Sequence, residues 1–100
     1  MSNRTPAWGG PCPSPHLPPL IEGAKPLAWH KPGQFTSSRV LAWTCHEHRN
    51  TWYELCAAGG LVYIRRFKGD QLKPEVAHTH AWREAEARAV WLALLSGRTQ

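Results

Sequence analysis

Thr51-Trp-Tyr-Glu-Leu-Cys-Ala-Ala58, Gly59-Gly60, Leu61-Val-Tyr-Ile-Arg-Arg-Phe-Lys68 is the stretch that decides the fold. Two runs rich in β-branched and aromatic residues flank a glycine pair. Both glycines can take positive φ, which a two-residue hairpin turn demands. The turn sets the register: Ala58 opposes Leu61, Ala57 opposes Val62, Leu55 opposes Ile64 and Glu54 opposes Arg65. Side chains alternate across a strand. One face therefore carries Tyr53, Leu55, Ala57, Val62, Ile64 and Arg66 and suits a core. The other carries Trp52, Glu54, Cys56, Tyr63, Arg65 and Phe67. That face is aromatic and charged, so something must cover it or bind it.

Upstream, Arg39-Val-Leu-Ala-Trp-Thr-Cys-His46 reads as a preceding strand with Leu41, Trp43 and Cys45 on one face. A short loop around His48-Arg49-Asn50 would set Cys45 opposite Tyr53 and Trp43 opposite Leu55, which keeps the aliphatic face continuous. Downstream, Gly69-Asp70 marks a turn, and Gln71 to His78, with Pro74 inside it, reads as a loop. Thr79 can cap a helix that runs to Ser96, with Gly97 as its stop. At 100° per residue Ala81, Ala85, Ala89 and Leu92, flanked by Trp82, make one stripe expected to lie on the sheet. Val90, Trp91 and Leu94 form a second apolar edge, suited to burial under the N-terminal arm or to a dimer interface.

Eight of the nine prolines precede residue 33. Pro11 to Leu20 can be neither helix nor central strand and should be extended. Pro15-His-Leu-Pro18 matches only the bare PxxP pattern. Trp8, Leu17, Leu20, Ile21, Leu27, Trp29 and Phe35 are too apolar for a disordered tail, so residues 20–36 should pack on the rest. The expected architecture is α+β: a three-stranded antiparallel β-meander packed on one C-terminal α-helix, with an extended proline-rich N-terminal arm. Residues 1–36 are the arm and 37–100 the β-β-β-α domain. A unit near 60 residues buries only about 60% of its unfolded surface, so the arm or a second subunit should contribute to stability.

One hundred residues allow one domain. No apolar run of membrane-spanning length and no signal-peptide pattern is present. With three unframed cysteines, the expectation is a cytoplasmic chain with no membrane association. Net charge is +5, a mild indication of a polyanionic partner. The excess is spread through the chain, with no basic tail.

On the outer hairpin face Arg65, Lys68 and Arg39 can neutralise phosphates, and Trp52, Tyr63 and Phe67 offer surfaces for stacking. Glu54 is placed for a cross-strand ion pair with Arg65. Trp52-Tyr-Glu-Leu, Gly59-Gly60, Val62-Tyr-Ile-Arg-Arg, Glu84-Ala-Glu-Ala and Trp91-Leu-Ala-Leu-Leu together resemble the sheet-plus-helix DNA-binding modules of tyrosine recombinases and AP2-type factors. The resemblance covers roughly residues 39–97. It implies a sheet that enters the major groove with a helix behind it. It also implies Trp52, Tyr63, Arg65 and Lys68 as contacts, and Arg66 if the faces are reversed. The chain is also similar to small proteins of high-GC bacteria, which implies no activity.

Cys45, His48, His78 and His80 are a conceivable tetrahedral zinc set. Against it, Cys45 and His48 fall on opposite faces of an ideal strand, and a C-x-x-C knuckle is missing. His46-Glu-His48 lacks the spacing of H-E-x-x-H, and no G-x-S-x-G or phosphate-binding glycine loop occurs. The sequence reads as a non-enzyme without a cofactor. It should bind DNA or RNA through the outer sheet face. The alternative is a protein-interaction or homodimeric assembly module using that face or the Trp91 edge.

Overall fold

The computed structural model describes residues 14–31, 33, 37–47 and 49–100. Trp8, Pro11, Phe35 and His48, named above, lie outside the described residues, as does Cys12, one of the three cysteines. The protein is α+β, with an antiparallel sheet and a C-terminal helix. The elements are β1 (Arg39–Trp43), β2 (Thr51–Ala58), β3 (Leu61–Lys68), β4 (Glu75–His78) and α1 (Glu84–Leu95). Sheet order follows chain order, β1-β2-β3-β4.

The β2–β3 hairpin has the register set by its turn: Ala58 pairs with Leu61, Ala57 with Val62, Leu55 with Ile64 and Glu54 with Arg65. Gly59 and Gly60 have φ of 57° and 82°, the doubly left-handed backbone of a type I′ turn. Tyr53, Leu55, Val62 and Ile64 form one core cluster with Ala87, Trp91 and Leu94 of α1. The aliphatic face is thus the helix-bearing face.

Four corrections follow. The sheet has a fourth strand where a loop was expected. Arg66 pairs with Ala77 and Phe67 with Val76, which occupies the free edge of β3. The first strand is offset by one residue. A bulge between Val40 and Ala42 sets Ala42 opposite Leu55 and Trp43 opposite Glu54. An extra bulge residue reverses the alternation beyond it. Leu41 and Ala42 both pack against the core, and Trp43 is left 54% exposed.

The helix starts at Glu84, with Arg83 as an N-cap that makes no side-chain cap bond. Thr79 is not its cap. The Thr79 hydroxyl accepts the Ile64 N–H and donates to the His80 carbonyl, and Trp82 exchanges backbone bonds with Val62 at 2.8 Å. Residues 79–82 thus complete the edge of β3, and that pairing overrides their helix propensity. Finally, α1 buries its other face. Ala87, Trp91 and Leu94 are buried, Val90 packs beside them, and Ala85, Ala89 and Leu92 face solvent. Burying a tryptophan and a leucine removes far more apolar area from water than a stripe of alanines.

The arm is tied to the body by backbone bonds. Cys45 N–H donates to the Pro15 carbonyl, Ile21 N–H to Gly97 and Leu27 N–H to Gln100, and His30 and His78 exchange a pair at 2.8 and 3.0 Å. Leu17, Leu27 and Trp29 pack on the core cluster. The arm therefore covers the Trp91 edge on the helix side.

Candidate functional site

The outer hairpin face is buried at Trp52, Cys56 and Tyr63 and half-buried at Glu54, Arg65 and Phe67. Trp52, Cys56 and Tyr63 are 8%, 0% and 1% exposed. Trp52 stacks on Phe67, with ring centroids 5.4 Å apart and planes within 8°. The Tyr63 hydroxyl lies 2.6 Å from Ser38 Oγ and accepts from Arg65 Nη2 at 2.7 Å. Arg65 Nη1 donates to Glu54 Oε1 at 3.2 Å, the cross-strand ion pair expected from the register. Burial works against the Arg65 charge, but Cys56, Tyr63 and Glu54 outweigh it and hold its pKa above the ordinary arginine value. These polar groups satisfy one another, as a buried network must.

The six candidate contacts therefore do not share one surface. Trp52, Tyr63 and Arg65 belong to the outer network. Arg39 pairs with Ala57 near the hairpin turn, whereas Lys68 pairs with Thr51 at the opposite end, about 20 Å away along the strand. The two-residue period puts Lys68 on the same face as Arg66, not with Arg65.

Arg66 and Lys68 line a recess between sheet and arm. Its other walls are Leu20, Ala24, Lys25, Pro26, Thr51, Tyr53 and Gln100, around a volume of about 350 Å³. A second recess of about 550 Å³ shares Thr51, Tyr53 and Gln100 and adds Pro15, Leu17, Pro18, Pro19, Thr44, Arg49 and Asn50. Together they carry Lys25, Arg49, Arg66 and Lys68; no Asp or Glu side chain lines either, and Gln100, the last residue, lines both. Glu75 opposes Lys68 across the β3–β4 ladder but does not line the recess.

The local fold explains this convergence. Arg66 lies with its guanidinium 4.5 Å from the centroid of the Trp29 ring, a cation–π contact that fixes it against the arm. Trp29 in turn packs at 6.0 Å on Tyr53. Lys25 is placed by its bridge to Thr99, whose hydroxyl donates to the Lys25 carbonyl at 2.6 Å. Lys25, Arg49 and Trp29 were missed in the sequence. The apolar residues of the arm signalled packing, but not which strand face it meets.

Burial pushes the Tyr53 hydroxyl above its usual 10.0, against the opposing pull of Arg66 and the Gln100 side chain. Burial likewise raises the Cys56 thiol above 9.0; Arg65 opposes this, Glu54 adds to it and a Tyr63 hydrogen bond opposes it. Both groups hold their protons in the folded chain at pH values where the unfolded chain loses them. Their contribution to stability is full below the ordinary thiol range and declines as pH rises from there toward the folded values. We expect a level urea midpoint between about pH 7 and 8 and a lower one at about pH 10. The Tyr53→Phe and Cys56→Ala variants should each show a smaller alkaline loss.

The proposed zinc ligands are not gathered. Cys45 follows β1 and His78 ends β4, at opposite edges of the sheet, about 14 Å apart across three strand spacings. His78 Nδ1 lies 2.8 Å from the Thr79 carbonyl, and His80 packs edge-on against Trp82 at 4.5 Å. Among the described residues no group of three or more His, Cys, Asp or Glu side chains is placed to hold a metal ion. Also among the described residues, no helix is long and apolar enough to cross a membrane.

No protein-family model matches the chain, and no curated protein or solved structure matches it.

Proposed function

We propose that the protein is a small, non-enzymatic nucleic-acid-binding accessory protein that contacts phosphates through the recess between arm and sheet. One observation carries this reading: four cations from three separate segments line two adjoining recesses, three in one and Arg49 in the other, and no Asp or Glu side chain lines either. A phosphate placed there would be attracted by several cations at once. Phosphate contacts of this kind supply the main, salt-dependent part of nucleic-acid affinity. The positive net charge of the whole chain, +5, adds attraction at longer range.

Titration of mixed-sequence oligonucleotides at about 50 and 200 mM salt tests it. We expect binding that weakens with salt, and at least a tenfold loss, about 1.4 kcal/mol or more, in an Arg66→Ala, Lys68→Ala double variant. Arg65→Ala and Arg39→Ala, outside the recess, should change affinity little. Salt-insensitive binding, or equal binding by the double variant, removes the reading.

A second reading, self-assembly through β1, is favoured by a different observation. β1 is an edge strand of the sheet, and among the described residues its Val40 and Trp43 are 39% and 54% exposed. The bulge in β1 counts against it, because bulges are a common protection of sheet edges.

A further inference from the structure

We infer that the recess takes the sugar–phosphate backbone of a single strand, and not the face of a duplex; this rests on the nucleic-acid reading above. A sheet that enters a major groove must present a free face. Here the helix side is covered by α1 and the arm, and the outer side is buried at Trp52, Cys56 and Tyr63 and offers only the half-buried Phe67 and the Glu54–Arg65 pair. The cations instead line a recess with walls on both sides. Arg66 and Lys68, two residues apart on one face, stand about 6.6 Å apart along the strand. Lys25 approaches from the arm, and Arg49 extends the row past Thr51. Volumes of about 350 and 550 Å³ fall in the range of small-ligand sites. Such a space admits a nucleotide or two of extended chain and excludes a double helix.

The recess also limits how bases are read. Its aromatic floor, Tyr53, is 2% exposed, so it offers no face for stacking. Recognition then falls mainly to charge, with Thr51, Asn50 and Gln100 as the polar side chains beside it, which gives base sequence little weight. With about −0.7 in log–log salt slope per neutralised phosphate on a single strand, the one or two phosphates that the recess admits give a slope of about −1.

Lys25 is the discriminating residue. It comes from the arm, which a sheet-in-groove mode does not use. It is exposed, so its truncation leaves the core untouched. The test is fluorescence anisotropy with the full chain and labelled probes of about 12 nucleotides: oligo-dT, a mixed-sequence single strand, and the duplex of the latter. We expect both single strands to bind within about threefold of each other and at least about tenfold tighter than the duplex. Their affinity should fall about fourfold between 50 and 200 mM salt. Lys25→Ala should weaken single-strand binding severalfold with an unchanged thermal melt, and Lys25→Arg should restore it.

Duplex binding as tight as single-strand binding, with Lys25→Ala silent, overturns the single-strand assignment and leaves the nucleic-acid reading standing. Absence of binding to every probe removes both. Displacement of oligo-dT by equimolar tripolyphosphate also overturns the assignment, because it marks a site for a small phosphorylated ligand.

Discussion

Trp91→Ala is expected to destabilise the protein by about 3–5 kcal/mol, the usual cost of removing a buried tryptophan. Trp91 is 6% exposed and sits in one cluster with Leu94, Ala87 and the inner residues of β2 and β3. The arm also packs on this cluster through Leu17, Leu27 and Trp29, so the substitution opens a cavity where helix, sheet and arm meet. Domains of this size have about 5–15 kcal/mol in total. The variant should therefore be folded only in part at physiological temperature, with a much lower urea midpoint and weakened protection of arm amides in hydrogen exchange. A midpoint shift below about 1 kcal/mol would show that Trp91 is not part of the core. The same geometry separates stability from assembly. Replacing Trp91 tests the core, whereas Trp43, 54% exposed, is the tryptophan whose change to Asp reports on contact with a second copy. Light scattering that shows a dimer in the parent chain and a monomer in Trp43→Asp would favour self-assembly.

Hairpin and core were legible because a glycine pair fixes the register, and with it the face of every residue from Trp52 to Lys68. β4 was not, for a local reason. It is four residues long, follows Pro74 and contains a single β-branched residue, Val76. Its strand character comes from pairing with the free edge of β3, a tertiary cause. The helix start was misread because Thr79 has the chemistry of a cap, yet its hydroxyl serves Ile64 and His80. The buried helix face was misread because the regular alanine stripe gave a clean period, while the bulky side chains lay elsewhere. In the candidate site, Arg66 was considered only as a reversed-face option. Lys68 was assigned to the wrong face although residue parity alone places it beside Arg66. The positions of Lys25 and Arg49 depend on how the arm lies across the sheet. No periodicity encodes that path; it is set by contacts such as Ile21 with Gly97 and His30 with His78.

Gly97→Val should detach the arm from the helix end and collapse the proposed site, while leaving the hairpin intact. Gly97 ends α1 in a Schellman arrangement: its N–H donates to the Leu94 carbonyl and the Arg98 N–H to Ala93. Its φ is +76°, where a side chain costs about 1–2 kcal/mol. The second constraint is steric. A Cβ at Gly97 would lie 2.5 Å from the Pro19 backbone oxygen, and that atom belongs to a proline pair with little freedom to turn aside. The adjacent Gly97 carbonyl accepts the Ile21 N–H at 2.9 Å, so relief of the clash pulls at the bond that holds the arm. Pro19 and Leu20 are walls of the two recesses, and Lys25 follows on the same stretch. We expect a stability loss of about 2–4 kcal/mol from backbone strain plus lost arm packing. Hydrogen-exchange protection should fall first at Ile21 and Leu27 and persist at Leu55 and Ile64. Single-strand affinity should drop by about the same factor as in Lys25→Ala or more. Gly97→Ala isolates the first Cβ from the branched side chain. If Gly97→Ala and Gly97→Val lose the same arm protection, the Cβ itself, strained at this φ and set against Pro19, is the cause. If Gly97→Ala retains arm protection and oligonucleotide binding, the arm is not anchored at this glycine, and the link between helix end and recess fails.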